Sequence, residues 1–484
     1  MFVLDDVMYY TAALGALAIG GEVLAIVVKK CNNKDDKLAT ATFGKRKDLS
    51  NLLGNNGVQI SKNIRLSLKA SHEGICIIGP TGAGKSSSII ASNLLNEDII
   101  PGSLVIADPK LELWETTSNY LKYKGYRTIL YSPLSPNSSV QYNPLNMCRT
   151  TEEVTQLAET ILLNGDLSIK LQSGRSSNNG EWVQMSCPLL ASALLYFKDK
   201  GYPLDNIPQA LKFLISNSME DIDLVFRNST NEDVKEQYSI FKTATGSSKT
   251  ASSILITLSS SLKLFLNSNV VKTTMKTEFT AEMLRKEKIA LFISIPERYA
   301  DQYAPLTATI YSQLISQSMD YYSIGRNPIT WFWDEFANCG LIPSFTKIVS
   351  TTRSRENSFV ICLQDLSQLN NIYGKNNTQT ILNNLKVKAA MPGLSDIETL
   401  EYISNLCGET EVETVSTSQS DNRITTSRST QRKKLVNADE VRRLGNEEIL
   451  IIAHNKKVLK DTQNIYYKQK KYMLNVFENE LPIN

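Results

Sequence analysis

The sequence predicts an α/β fold: a mostly parallel β-sheet with helices on both faces and an all-α region let into it. Three observations predict it. A short apolar run opens directly into a glycine-rich stretch, GPTGAGKSS (79–87). Apolar runs of strand length recur at 74–79, 103–108, 126–132, 288–295, 329–334, 359–364, 387–391 and 449–453, many separated by helical patterns; strands alternating with helices make a parallel sheet covered on both sides. Between residues 150 and 280 the strand signal fades and helical periodicity takes over.

The first element is apolar. Val7–Val28 reads VMYYTAALGALAIGGEVLAIVV, 22 residues with one charge, Glu22. At a rise of 1.5 Å per residue such a helix crosses about 30 Å of hydrocarbon. Asp5 and Asp6 precede it and Lys29 and Lys30 follow it, so the positive-inside rule puts the rest of the chain in the cytoplasm. The acidic flank is unlike the basic start of a secretory signal. Residues 1–30 are therefore expected to anchor the chain in the cytoplasmic membrane as one transmembrane helix, the alternative being a buried or interfacial amphipathic helix.

GICIIG (74–79) reads as a strand and SIIASNLL (88–95) as a helix. Between them Gly79, Gly84, Lys85 and Ser86 match G-x-x-x-x-G-K-S. In this pattern the loop Gly79, Pro80, Thr81, Gly82, Ala83, Gly84 wraps phosphate oxygens with backbone N–H groups, and the helix N-terminus adds a positive dipole. Lys85 reaches the β/γ-phosphates and the Ser86 hydroxyl ligates Mg²⁺. ATP and Mg²⁺ are the ligands this motif calls for.

A phosphate loop is completed by an acidic strand end, and two segments compete. SLVIAD ends at Asp108 and ITWFWDE at Asp334–Glu335. Hydrolysis needs one carboxylate to hold Mg²⁺ through water and another to orient the attacking water. Only Asp334–Glu335 supplies adjacent carboxylates, so Asp334 is assigned to the metal and Glu335 to water activation. Asp108 either caps the turn at its own strand end or touches nucleotide. SFVICLQ ends at Gln364, which either senses a γ-phosphate or simply begins the next loop. TTRSRE (351–356) offers Arg353 and Arg355. They are surface arginines or, in a ring of subunits, one enters a neighbour's site and contributes about 10³–10⁵ in rate.

The helical region starts at Thr150–Glu153, a capping box before VTQLAETILL. EWVQMSCPLLASALLYFKDKG reads as a helix closed by Gly201. NEDVKEQYSIFK and SSILITLSSSLKLFL continue the pattern, while Ser168–Gly180 reads as a polar loop. Beyond it, Tyr303–Met319 carries Leu306, Ile310, Leu314 and Ile315 on one stripe. The Ser/Thr-rich stretch 414–434 lacks periodicity and reads as an exposed flexible loop. From Asn422 to Tyr472 there are 13 Lys/Arg against five Asp/Glu, in a chain whose net charge is +3. That basic bias suits a polyanion, an anionic lipid surface or plain solvation.

These segments give an expected division into an anchor (1–30), a first nucleotide-binding part (31–149), an inserted all-α domain (150–280) and a second nucleotide-binding part (281–484). Composition excludes other chemistries. Two histidines, His72 and His454, rule out a His-rich metal site, and neither adjoins a nucleophile motif. Seven cysteines without a C-x-x-C pair read as reduced thiols rather than a disulfide framework or zinc site.

Taken in order, the motifs resemble those of the type IV secretion coupling proteins, the TraG-like conjugative DNA-transfer ATPases. The resemblance runs through ATFGKRKDL (41–49), GPTGAGKSSSIIASNLL (79–95), SLVIADPKLELWETTSNYLKYKGY (103–126), YNPLN (142–146) and LFISIPERY (291–299). It continues through WDEFANCGLIP (333–343) and LQDLSQLNNIYGKNNTQTILNN (363–384). It implies a RecA-like P-loop NTPase domain with an inserted all-α domain, in a membrane-anchored homo-hexamer. It also implies ATP-driven delivery of relaxase-bound single-stranded DNA, or of protein, to a secretion channel. Gly79–Ser86 carry over as the phosphate loop, Asp334–Glu335 as the acidic pair and Gln364 as the motif glutamine; Arg353 stands at the arginine-finger position. The all-α domain is implied to meet the relaxosome or substrate. Many members have two membrane helices around a small external domain, whereas one apolar span is found here. Two other functions fit the nucleotide motifs: a nucleotide-gated substrate receptor that does not pump, and a double-stranded DNA translocase of the FtsK/HerA sort.

Overall fold

Each apolar run becomes a strand because its residues are buried on both faces of one sheet. The structure, a computed structural model, describes residues 39–173, 180–246, 248–420 and 423–477. In chain order the strands are β1 (Ile75–Ile78), β2 (Ser103–Ala107), β3 (Arg127–Tyr131), β4 (Ile289–Ile293), β5 (Ile329–Trp333), β6 (Asn357–Leu363) and β7 (Val387–Ala390). They are followed by β8 (Glu409–Ser420), β9 (Arg423–Lys434), β10 (Glu448–Ala453) and β11 (Leu459–Thr462). Nine of them form one sheet in the order β11-β10-β7-β1-β6-β5-β2-β4-β3, while β8 and β9 pair only with each other. From β7 to β3 all neighbours are parallel; β10 and β11 extend the sheet antiparallel.

Side chains alternate between two cores, as a pleat requires. Ile75 and Ile77 of β1 join a core with Ile89, Ile90, Leu104 and Ile106; Cys76 and Ile78 join the opposite one. That opposite core runs on without a break into the helices between β3 and β4. The outer strands are partly covered. Val140 N–H donates to the Leu130 carbonyl of β3 (3.0 Å), and Lys62 N–H to the Thr462 carbonyl of β11 (2.9 Å), so each edge has an outward carbonyl already taken.

The region between β3 and β4 is helical throughout its described part, with long helices at Thr151–Ser173, Gly180–Lys200, Glu232–Thr245 and Ser248–Leu262. The Thr150 hydroxyl accepts from Glu153 N–H at 3.3 Å, capping the first. Gly201, at φ 67°, ends the second. Tyr196, Phe213, Phe226, Tyr238 and Phe241 form its aromatic interior. The helix Ala300–Asp320 ties these helices to the sheet, burying Leu306, Ile310, Leu314 and Ile315 and donating from Gln313 and Gln317 to the carbonyls of Pro144 and Met147.

Two expectations change. The polar loop over Ser168–Gly180 gives way to helix as far as Ser173. A helix already packed by Val154, Leu157, Ala158 and Ile161 propagates cheaply, and Gln172 Nε2 donates to Ser168 Oγ one turn back (3.2 Å). The Ser/Thr-rich stretch 414–434, expected as a flexible loop, lies in the β8–β9 hairpin, apart from residues 421 and 422. Thr and Val carry strand propensity even where no face is apolar. The apolar stretch Val7–Val28 lies outside the described residues; among the described residues no helix is long and apolar enough to cross a membrane.

Candidate functional site

Strand order assembles the site. β1, β6 and β5 are neighbours, and they end respectively at Gly79, Gln364 and Asp334. Three segments far apart in sequence thus open at the same carboxyl edge of a parallel sheet, where such folds place ligands.

The loop after β1 needs its glycines. Gly79 N–H donates to the Leu363 carbonyl (3.0 Å), and a Cβ on Gly79 would stand 2.7 Å from Met391 Cβ. Gly84 lies at φ 93°, and its Cβ would stand 2.8 Å from Gln463 Oε1. The following helix, Lys85–Ile90 and on through Ala91–Leu94, starts with a wide π-type turn, a winding that concentrates at functional positions.

Lys85, 8% exposed, donates from Nζ to the carbonyls of Gly79 (2.6 Å) and Pro80 (3.3 Å) and lies 4.0 Å from Glu335 Oε2. The Ser86 hydroxyl sits 2.7 Å from both carboxylate oxygens of Asp334. Glu335 is 5% exposed, and its Oε1 is buried without a hydrogen-bond partner. Burial pushes the Glu335 carboxyl up to about 7, against the opposing pull of Lys85 and the Gln364 side chain. Burial likewise raises Asp334, against its bond to Ser86 and the charge of Lys85. These groups line a cavity of about 210 Å³ with the loop residues Pro80, Thr81, Gly82, Gly84 and Ser87, and Lys110, Glu112, Glu297 and Tyr467 complete its rim.

The arrangement suits a polyanion carrying a divalent cation. Two carboxylates, buried Glu335 and half-buried Asp334, both held above their ordinary range, want positive charge, and Glu335 Oε1 wants a donor such as water. Ser86 and Asp334 already share the geometry of two groups able to hold one cation between them. Lys85 and the helix N-terminus supply the positive counterpart for phosphate.

The structure thus gathers Pro80, Thr81, Gly82, Gly84, Lys85, Ser86, Asp334, Glu335 and Gln364 at one cavity, while Gly79 and Ala83 belong to the loop without lining it. Asp108 plays the quieter of its two roles: its Oδ2 accepts from Trp114 N–H at 2.7 Å, holding the turn into the helix Glu112–Tyr123. Arg353 is elsewhere. It precedes β6 whereas Gln364 follows it, so seven residues of strand, about 23 Å, separate the two ends. Its Nη2 lies 2.7 Å from Glu73 Oε1, and Glu73 Oε2 in turn lies 2.6 Å from His454 Nε2. Buried Arg285 fixes this turn, donating to the carbonyls of Ser318, Asn327 and Arg355. Sequence reasoning missed the rim. Lys110 and Glu297, 3.9 Å apart, fall within stretches that carried the resemblance, ADPK and IPERY. Tyr467 had no signal, because only the fold brings the C-terminal segment to the loop.

The family model described as Type IV secretory system Conjugative DNA transfer matches residues 15–482. Protein VirD4 of Agrobacterium fabrum is 26% identical over 388 residues, 78% of this chain and 56% of that protein. Conjugal transfer protein TraG of Rhizobium radiobacter is 21% identical over 433 residues, 85% of this chain and 64% of that protein. The chain therefore spans somewhat over half the length of these relatives. Among solved structures, the unbound bacterial conjugative coupling protein TrwBdeltaN70 superposes with a TM-score of 0.68 at 18% identity, covering 88% of this chain and 93% of that one. TrwB in complex with ADP and Mg²⁺ does so with the same score, identity and coverage. The likeness shows a shared fold.

Proposed function

Since this chain belongs to the type IV secretory system conjugative DNA transfer family, we propose that it is the coupling ATPase of a conjugative secretion system. ATP hydrolysis by this chain recruits relaxase-bound single-stranded DNA, or a protein substrate, and delivers it to the secretion channel. The observation that carries the reading is the convergence of Lys85, Ser86, Asp334 and Glu335 on one cavity. TrwB, of the same fold, has been seen with ADP and Mg²⁺.

In this reading the backbone of Gly79–Gly84 cradles the phosphates and Lys85 turns from the Gly79 carbonyl to the β/γ-phosphates. Ser86 and Asp334 would hold Mg²⁺, which would supply charge neutralisation at the transferring phosphoryl group. Glu335, whose carboxyl sits near neutrality, takes a proton from the attacking water, and Gln364 beside it orients that water. Arg353 cannot serve its own chain's cavity and acts on a neighbour's in a homo-hexamer. Residues 150–280 are the inserted all-α domain facing relaxosome or substrate, between nucleotide-binding parts 31–149 and 281–484. Residues 1–30 anchor the assembly in the inner membrane, with the bulk of the chain cytoplasmic.

Glu335→Gln tests the core of this. The substitution keeps the shape and removes the base, so ATP binding persists while turnover falls about 10²–10⁴-fold, the usual worth of a positioned base. A variant that hydrolyses ATP at the normal rate overturns the assignment.

A further inference from the structure

The phosphate end of the cavity is accounted for; the side where a base would lie is not. That side is built by the C-terminal segment following β11, which is braced on the phosphate loop and its helix. Gln463, 3% exposed, donates from its backbone to the Glu447 carbonyl (2.7 Å), and its Oε1 occupies the space a side chain on Gly84 would need. Asn464 Nδ2 donates to the Tyr472 hydroxyl (2.8 Å), and Gln469 Nε2 donates to Asn464 Oδ1 (2.7 Å). Asn475 Nδ2 donates to the Leu95 carbonyl (2.6 Å), at the far end of the phosphate-loop helix. The segment is a brace fixed at both ends of that helix.

Tyr467 stands on this brace at the cavity rim. Tyr466 packs inward against Leu95, Tyr120 and Tyr472, and its ring meets that of Tyr467 edge-on, 5.4 Å between centroids at 84°. Lys468, next along, is tied to Glu447 (2.6 Å). The Tyr467 ring is thus held from behind yet remains 54% exposed, an unusual state for a large aromatic that is otherwise anchored. Among the described residues it is the one aromatic lining the cavity; the others are mostly polar or charged. A nucleotide with its phosphates on Lys85 and Ser86 needs an apolar platform for its base, and the rim offers this ring.

We propose that Tyr467 is the base-stacking platform of the nucleotide site, and that the Gln463–Tyr467 brace positions it relative to the phosphate loop. This rests on the reading of the cavity as a nucleotide site. A ring face recognises the π surface of a nucleobase and contributes by stacking. It contributes nothing to a ligand made of phosphates alone.

The test uses the full chain and two probes, ADP and inorganic tripolyphosphate, each with Mg²⁺, measured by titration calorimetry on wild type, Tyr467→Ala and Tyr467→Phe. Tyr467→Ala is expected to weaken ADP about tenfold, within the range for losing one base–aromatic stack, and to leave tripolyphosphate unchanged. Tyr467→Phe, which keeps the ring, binds ADP as wild type does. Unchanged ADP affinity in Tyr467→Ala overturns the proposal and leaves the nucleotide site standing. Equal loss of both probes also overturns it, showing that the brace merely supports the loop. If wild type binds neither probe, the nucleotide site itself fails and the platform with it.

Discussion

Glu335 concentrates the electrostatics of the site in one side chain. Its carboxyl ordinarily titrates near 4.5 and is raised to about 7 in the fold. A raised acid contributes stability that is complete below its unfolded value and is lost as pH climbs through the folded one. Two and a half units correspond to about 3 kcal/mol at most. Glu335→Gln has no such titration. The melting temperature of Glu335→Gln, relative to wild type, should therefore rise between pH 5 and pH 8; a gap independent of pH contradicts the burial of this charge. Gly84 gives a second test. At φ 93° with Gln463 Oε1 where a Cβ would go, Gly84→Ala should displace the loop and abolish measurable ADP binding, while far-ultraviolet circular dichroism stays native. At this scale the sequence was highly legible, because phosphate chemistry demands fixed residues at fixed spacing. Lys85, Ser86, Asp334, Glu335 and Gln364 meet at one cavity as their motifs required. Tyr467 was illegible: a base platform needs only a ring, and rings carry no spacing.

Elements were legible where burial imposed a period. β1, β2, β4, β5 and β6 are buried along their whole length, so their apolar runs stood out. The β8–β9 hairpin was not, because neither of its faces is apolar. Its strands pair over twelve positions, with Glu409 against Lys434 at the root (3.0 Å) and Ser, Thr and Arg toward the tip. Among the described residues the root meets the body through Ala41 N–H on the Glu409 carbonyl and Ala39 N–H on the Glu411 carboxylate; Val412–Thr417 and Thr426–Lys433 are exposed. A two-stranded ribbon in water is marginal by itself, so it adds little to the fold. Replacing residues 414–429 by a two-residue turn should change unfolding stability by less than about 0.5 kcal/mol, as for other exposed surface changes, read by urea denaturation. A large loss would show that the tip packs on something the isolated chain keeps. β11 was missed for a related reason: LKDT is short, and only its pairing with β10 makes it a strand.

The whole molecule separates two sets of residues. The phosphate loop and the acidic pair open at one end of the parallel strands, and Arg353 sits at the other, held by Glu73 and steadied through Arg285. Sequence reasoning found both sets of residues yet had no access to the distance between them, since strand order, with β6 between β1 and β5, is a property of packing rather than of any local run. If Arg353 serves a neighbour's cavity, Arg353→Ala and Lys85→Ala are each inactive alone. Mixing the two should restore part of the ATPase activity, because some junctions then pair an intact loop with an intact arginine. Failure of every mixing ratio to restore activity argues against the shared site.

The partly covered rims of the sheet bear on how copies of the chain meet. Val140 on β3 and Lys62 on β11 each already claim a carbonyl that a further strand would need, so a second molecule lengthening the sheet would first have to displace those segments. In the proposed homo-hexamer, contacts through side chains would avoid that displacement, and junctions of that kind would be able to loosen and re-form while the backbone of each copy stays intact.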